Sequence, residues 1–201
     1  AELAPDNADV VLTDIELCVA ERRLQVAEQL AAKARKLFPE DERVFRALAT
    51  IAMQQGNPEG AIAVLEEGLA DQPGQPSLLL MLADIQLQNG RLADTEQTVA
   101  TLVERHGVTN PAVGLLQARL LIAQKRWLPA RQKLESIRPL VAQTESLTRQ
   151  IDLLLGQCHE MLGQYDEQLA ANQRVLSEDH ESLAARTGVA DRKSTRLNSS
   201  H

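Results

Sequence analysis

Apolar residues in this chain fall in short runs with helical spacing, each closed by a turn signal and followed at once by another. The clearest pair of runs lies between Glu42 and Gln75. In the first, Phe45, Leu48, Ala49 and Ala52 stand at i, i+3, i+4 and i+7, one face of a 3.6-residue helix. Gly56 ends that helix, because glycine accepts the left-handed backbone that helix C-termini often take. Asn57 then suits an N-cap and Pro58 the first helical position, where its missing N–H costs nothing. Ala61, Leu65, Gly68 and Leu69 form the apolar face of a second helix, ended by Pro73. The small residues Ala61 and Gly68 predict a close approach of the two helices, one that Ala61→Trp is expected to destroy.

This unit repeats. The turn signal of Gly56 recurs 34 residues on at Gly90, and Arg22 takes the same place 34 residues back. Lys125 follows at a spacing of 35 and Gly163 at a spacing of 38. Five helix pairs at so regular a period predict an all-α array in which each pair buries its apolar face against the next. The repeats run about 8–41, 42–75, 76–109, 111–144 and 149–182, residues 183–190 begin a sixth, and residues 1–7 are expected to fray. Pair one draws on Val10, Val11, Leu12, Ile15, Leu17 and Cys18, then on Leu24 to Leu37, with Ala27, Ala31 and Ala34 at its small positions. Pair three continues the face with Leu79, Leu82, Ala83 and Leu87 and carries Thr95 at a small position. Pair four departs furthest: Gln117 occupies an apolar position, Lys125 replaces the turn glycine, and residues 139–145 read as a longer connecting loop.

The pattern of Phe45, Leu48, Ala49, Ala52, Gly56, Ala61, Leu65, Gly68 and Pro73, with Trp127, Ala130, Leu155-Gly156, Gly163 and Tyr165 further on, resembles the tetratricopeptide repeat family. The resemblance implies a right-handed α-α superhelix of antiparallel helix pairs. It also implies a non-catalytic scaffold that binds a protein or peptide partner in a concave groove lined by the first helices. The family's groove positions fall on Asp9, Leu12 and Glu16; on Arg43, Arg46 and Thr50; and on Leu80, Asp84 and Leu87. They continue on Leu115, Arg119 and Ile122, and on Leu153, Gln157 and Gln150. The carboxylate-gripping Lys/Asn constellation of the co-chaperone subclass is not expected, since Leu12, Glu16, Leu80 and Asp84 stand at its places. What remains is Arg43, Arg46 and Arg119 beside the aliphatic strip Leu80, Leu115 and Leu153, which suits a segment with acidic and apolar side chains. The same resemblance is compatible with a non-catalytic arm of a larger glycosyltransferase or kinase, or with an envelope or secretion assembly protein. The use of Leu and Ala in place of Tyr and Phe resembles bacterial members.

Composition narrows this further. Hydrophobic residues make up 44% of the 201, but aromatics only 2%, so Leu and Ala must do the packing. A formal charge of −7 argues against neutralising nucleic-acid phosphates, so no nucleic acid is expected as partner. No apolar run reaches the ~18 residues of a membrane span. Cys18 and Cys158 lie in different repeats on inward faces, which favours buried thiols and a reducing, cytoplasmic setting. No cofactor or metal is expected: no phosphate-binding glycine loop, dinucleotide fingerprint or nucleophile elbow occurs. Cys158-His159-Glu160 cannot ligate one ion, because consecutive helical residues point about 100° apart. His159 and Trp127 fall at inward-packing positions instead.

The last eleven residues, DRKSTRLNSSH, have no helical period and resemble a sequencing-library adapter translated in frame, so 191–201 is taken as a non-native tail. Setting its three bases and one acid aside changes the charge from −7 to −9. With that tail following the start of a sixth repeat, a fragment of a longer protein is expected. The oligomeric state is left open.

Overall fold

The computed structural model describes residues 7–107, 110–178, 182 and 185–187. Of residues 1–7, expected to fray, 1–6 lie outside the described residues, as do most of the sixth-repeat segment and the tail over 191–201, whereas Asn7 is ordered as the cap of the first helix. Every regular element among the described residues is helical, and none is long and apolar enough to cross a membrane. The chain divides into two compact units, one ending at His106 and the other starting at Gly107.

The first unit holds α1 (Ala8–Ala20), α2 (Leu24–Leu37), α3 (Glu42–Gln54), α4 (Pro58–Asp71), α5 (Pro76–Gln88) and α6 (Leu92–His106). Starts follow local signals. Asn7 accepts from the Asp9 N–H, Asp41 from the Arg43 N–H, and Asn57 from the Gly60 N–H with Pro58 in the first turn. Ala27, Ala31, Ala34 and Val44 are fully buried in one core cluster with Ile15 and Cys18. Phe45, Ala49, Ala61, Leu65, Leu78 and Leu82 form the next cluster. A Cβ added to Gly68 would lie 2.8 Å from Phe45 Cγ, so the close approach expected at that residue is present. Thr95 is tolerated at its fully buried position because its hydroxyl donates to the Arg91 carbonyl at 2.8 Å. Leu17 and Leu37, counted among the apolar residues of pair one, are 52% and 42% exposed. Leu17 lies one residue, and so about 100° of helix, from buried Cys18, which turns it off the packed face.

The second unit holds α7 (Pro111–Ala123), α8 (Trp127–Ile137), a 3-10 turn over Arg138–Val141, α9 (Glu145–Met161) and α10 (Tyr165–Glu178). Its core joins Ala118, Ala130, Leu134, Ile137, Ile151, Leu155, Cys158 and Ala171, with Trp127 packed against it. The expected loop over 139–145 is shorter than the spacing suggested. The chain makes a 3-10 turn with Val141 buried, and α9 begins at Glu145. Thr148 Oγ1 secures this by donating to the Val141 carbonyl at 3.0 Å.

The five helix hairpins of the described residues close with one hydrogen-bond pattern. At Gly56 the N–H reaches Met53 O at 3.0 Å and the next N–H, of Asn57, reaches Ala52 O at 2.9 Å. This is the Schellman arrangement, which satisfies two orphan carbonyls and requires a left-handed residue. Arg22, Gly90, Lys125 and Gly163 make the same two bonds, and their φ values are 58, 72, 60 and 71°. An L-residue with a side chain pays about 1–2 kcal/mol there, which glycine avoids at an unfolded-state entropy cost of about 0.5–1. Arg22→Gly and Lys125→Gly are therefore each expected to stabilise their own unit by about 0.5–1 kcal/mol. Thermal or urea unfolding with no gain in either variant would contradict the strain assigned to these turns.

Candidate functional site

Two first helices, α1 and α3, enclose an open hollow of about 420 Å³. Its apolar floor includes Leu12 and Ile15, 7% and 1% exposed, with Val19 and Ala47 beside them. The helical spacing of Asp9, Leu12 and Glu16 puts them on one side of α1, and that of Arg43, Arg46 and Thr50 puts them on one side of α3. All six of these expected groove residues line this hollow.

The two arginines differ. Arg43 is locked, with Nε 3.0 Å and Nη2 2.6 Å from the Asp41 carboxylate and Nη1 2.5 Å from Asp9 Oδ1. The hydrogen bond from Arg43 holds the Asp41 carboxyl below the usual carboxylate range despite some burial, and Asp41 and then Asp9 keep the guanidinium charged. The Arg46 and Glu16 side chains have no ion pair or hydrogen bond among the described residues. Thr50 is turned back on its helix, its hydroxyl donating to the Arg46 carbonyl at 2.8 Å. The hollow thus offers an apolar floor, one fixed arginine, one available arginine and one available carboxylate.

The other expected groove residues are placed differently. Leu80, Asp84 and Leu87 are half-buried on α5 and do not line the hollow. In the second unit, Arg119 and Ile122 on α7 and Leu153 on α9 are half-buried, while Gln150 and Gln157 are exposed. Leu115 needs correcting: it is 9% exposed and belongs to the core cluster rather than to a groove surface. The cause lies next to it. An added Cβ on Gly114 would sit 2.6 Å from Ile137 Cγ2, so α7 and α8 approach closely there and enclose the neighbouring side chain.

Sequence reasoning did not find the ion pairs around Asp152, a residue 1% exposed. Arg138 Nε and Nη2 each reach its carboxylate at 2.8 Å, and Arg174 Nη2 reaches it at 2.7 Å. An acid at an inward position of α9 was the one available signal. No group of three His, Cys, Asp or Glu residues is placed to hold a metal ion among the described residues. Burial pushes the Cys158 thiol up to about 11, only partly offset by the Arg131 charge, so it is protonated at neutral pH and a poor nucleophile.

Tetratricopeptide repeat models match residues 19–76 and 52–120. The chain belongs to the tetratricopeptide repeat family. Solved structures agree on the helix-pair solenoid fold. A thermophilic tetratricopeptide repeat protein of Thermus thermophilus is 17% identical with a TM-score of 0.71, covering 92% of this chain and 98% of that one. Yeast Tom70 is 17% identical with a TM-score of 0.78, and the match covers 96% of this chain but only 42% of Tom70. YrrB, described as a tetratricopeptide repeat protein with an unusual peptide-binding site, is 12% identical with a TM-score of 0.63 over 90% of this chain and 91% of that one. At these identities the likeness shows the fold alone. No curated protein matches the sequence significantly.

Proposed function

We propose that this tetratricopeptide repeat chain is a non-catalytic interaction scaffold, and that the α1–α3 hollow docks a partner segment bearing acidic and apolar side chains. The observation that carries the reading is the hollow itself: an apolar floor of Leu12 and Ile15 beneath an arginine, Arg46, with no partner of its own among the described residues. An acidic side chain on a bound segment would pair with Arg46, while an apolar neighbour would cover Leu12 and Val19. Arg43, pinned by Asp41 and Asp9, shapes the wall at little entropic cost on binding. A peptide-binding site in YrrB supports the class of function by analogy of fold. The reading assigns no reaction to either unit. It includes a cytoplasmic setting, supported by two buried, unlinked cysteines.

Selection from a random-peptide display library, followed by titration of the recovered peptides, tests it. Peptides rich in Asp or Glu next to Leu are expected, and Arg46→Glu should weaken them at least tenfold, about 1.4 kcal/mol or more. Recovered peptides whose affinity is unchanged by Arg46→Glu would sink the assignment of this hollow.

A further inference from the structure

The outer side of the first hairpin carries the pattern of a packed interface, yet its apolar side chains are bare. At three junctions between hairpins, the first helix of one buries a stripe at i, i+4 and i+7 against the second helix before it. Val44, Leu48 and Ile51 of α3 pack with Ala27, Ala31 and Ala34 of α2. Leu78, Leu82 and Ile85 of α5 pack with Ala61 and Leu65 of α4, and Ile151, Leu155 and Cys158 of α9 with Ala130 and Leu134 of α8. On α1 the same stripe, 34 residues before that of α3, reads Val10, Asp14 and Leu17. Leu17 is 52% exposed, whereas its counterpart Ile51 is 2% exposed. Beside it on α2, Val26, Leu30, Lys33 and Leu37 share one side of the helix by the same spacing, and Val26 and Leu37 are each 42% exposed. An outer face left bare in a repeat array is ordinarily polar. This one is not.

Its charges decide what fits. Asp14 stands where Leu48, Leu82 and Leu155 stand in the other stripes, so the apolar second helix of another repeat would bury an unpaired carboxylate there. Lys33 supplies the matching cation on α2, and neither side chain has an ion pair or hydrogen bond among the described residues. In the antiparallel hairpin Val10 lies about level with Leu37, Asp14 with Lys33 and Leu17 with Leu30, because α1 rises by four and three residues as α2 descends by the same steps. The level is fixed by the next hairpin, where Phe45 and Gly68, the counterparts of Val11 and Ala34, meet.

A two-fold axis parallel to the helices would lay α1 of one copy antiparallel on α2 of the other, with no sliding along the axis. Leu17 then meets Leu30, Val10 meets Leu37 and Asp14 meets Lys33, and each contact is made twice. A perpendicular axis would set α1 on α1, which carries Asp9, Asp14 and Glu16 and no base. We infer that the outer face of α1 and α2 is a homodimer interface, with two copies of this chain paired in the first of these arrangements. Covering Leu17, Val26 and Leu37 drives the association, while the Asp14–Lys33 pairs fix orientation and register. Asp9, Leu12 and Glu16 lie on another side of α1, so the α1–α3 hollow stays open and the inference is independent of its occupant.

Sedimentation equilibrium of the full chain at low salt tests it. A reversible monomer–dimer equilibrium with a micromolar dissociation constant is expected for a patch of two short helices. Leu17→Glu changes an exposed side chain, so it should keep the parent's helical circular dichroism and melting while weakening the dimer about tenfold or more. Asp14→Lys and Lys33→Asp should each weaken it about threefold or more, because like charges then face each other across the axis. Mixed in equal amounts, these two variants should form a heterodimer about as tight as the parent dimer, since every crossing pair is again of opposite charge. A parent chain still monomeric at about 1 mM, which would leave the face to a helix of another protein, would overturn the inference. So would an unchanged constant in Leu17→Glu, or a mixture that associates no better than its two components.

Discussion

Ala61→Trp is expected to destroy the packing of α3 on α4 and to cost the first unit about 3 kcal/mol or more. Ala61 has no exposed surface and sits in a cluster with Phe45, Ala49 and Leu65. The packed helices leave no room for an indole, because Gly68 on the same helix already stands against Phe45 and Leu78. A bulky side chain here must force others off their rotamers or separate the pair. Hydrogen exchange should show residues 42–71 losing protection, while the second unit keeps its own. Two residues on, Ala63 is exposed, and Ala63→Trp should stay within about 0.5 kcal/mol of the parent. An Ala61→Trp chain as stable as the Ala63→Trp control would refute the close contact.

The second large effect concerns Asp152. Its carboxylate joins the 3-10 turn, through Arg138, to α10, through Arg174, from a position 1% exposed on α9. Removing one partner of a buried charge pair typically costs about 3–5 kcal/mol. Asp152→Ala is expected near the lower end, about 3 kcal/mol, because the arginine side chains are 33% and 41% exposed and can turn to water. The same group predicts a pH dependence. Burial pushes the Asp152 carboxyl up, but hydrogen bonds from Arg138 and Arg174, with their charges, outweigh it and hold it below its ordinary 3.8. A carboxyl lowered on folding stabilises fully above its unfolded value and loses that stabilisation as pH falls through the lowered folded value. The wild-type second unit should therefore lose its advantage over Asp152→Asn in acid, below about pH 4, and keep it at neutrality. An advantage that is the same at pH 7 and pH 3 would show that the carboxylate charge contributes nothing.

These two cases differ in how far the sequence foretold them. The closeness at Ala61 and Gly68 was legible, since a small residue where a large apolar one would otherwise serve signals an approaching helix. Asp152 was not. Its partners lie 14 and 22 residues away, and nothing local in RPLVAQTESLTRQID says that the acid meets two arginines. The groove divides in the same way. The 3.6 period put Asp9, Leu12 and Glu16 on one side of α1 and Arg43, Arg46 and Thr50 on one side of α3, as the hollow between them shows. The same counting put Leu115 on a surface, and the close approach at Gly114 encloses it in the core.

What the sequence determined by itself is therefore the local grammar: the helix start at Asn57, and left-handed closures at Gly56, Gly90 and Gly163. It reaches even to Arg22 and Lys125, where the period placed a turn that the residue type argued against. Such features depend on backbone preference and on hydrogen bonds within a few residues, so a short window of chain contains their cause. Only the tertiary structure decided which side chains were left exposed, which arginine stayed available, and where the charges of Asp9, Arg43, Arg138, Asp152 and Arg174 met. Those outcomes depend on the distance and rotation between packed helices, and the repeat period sets neither.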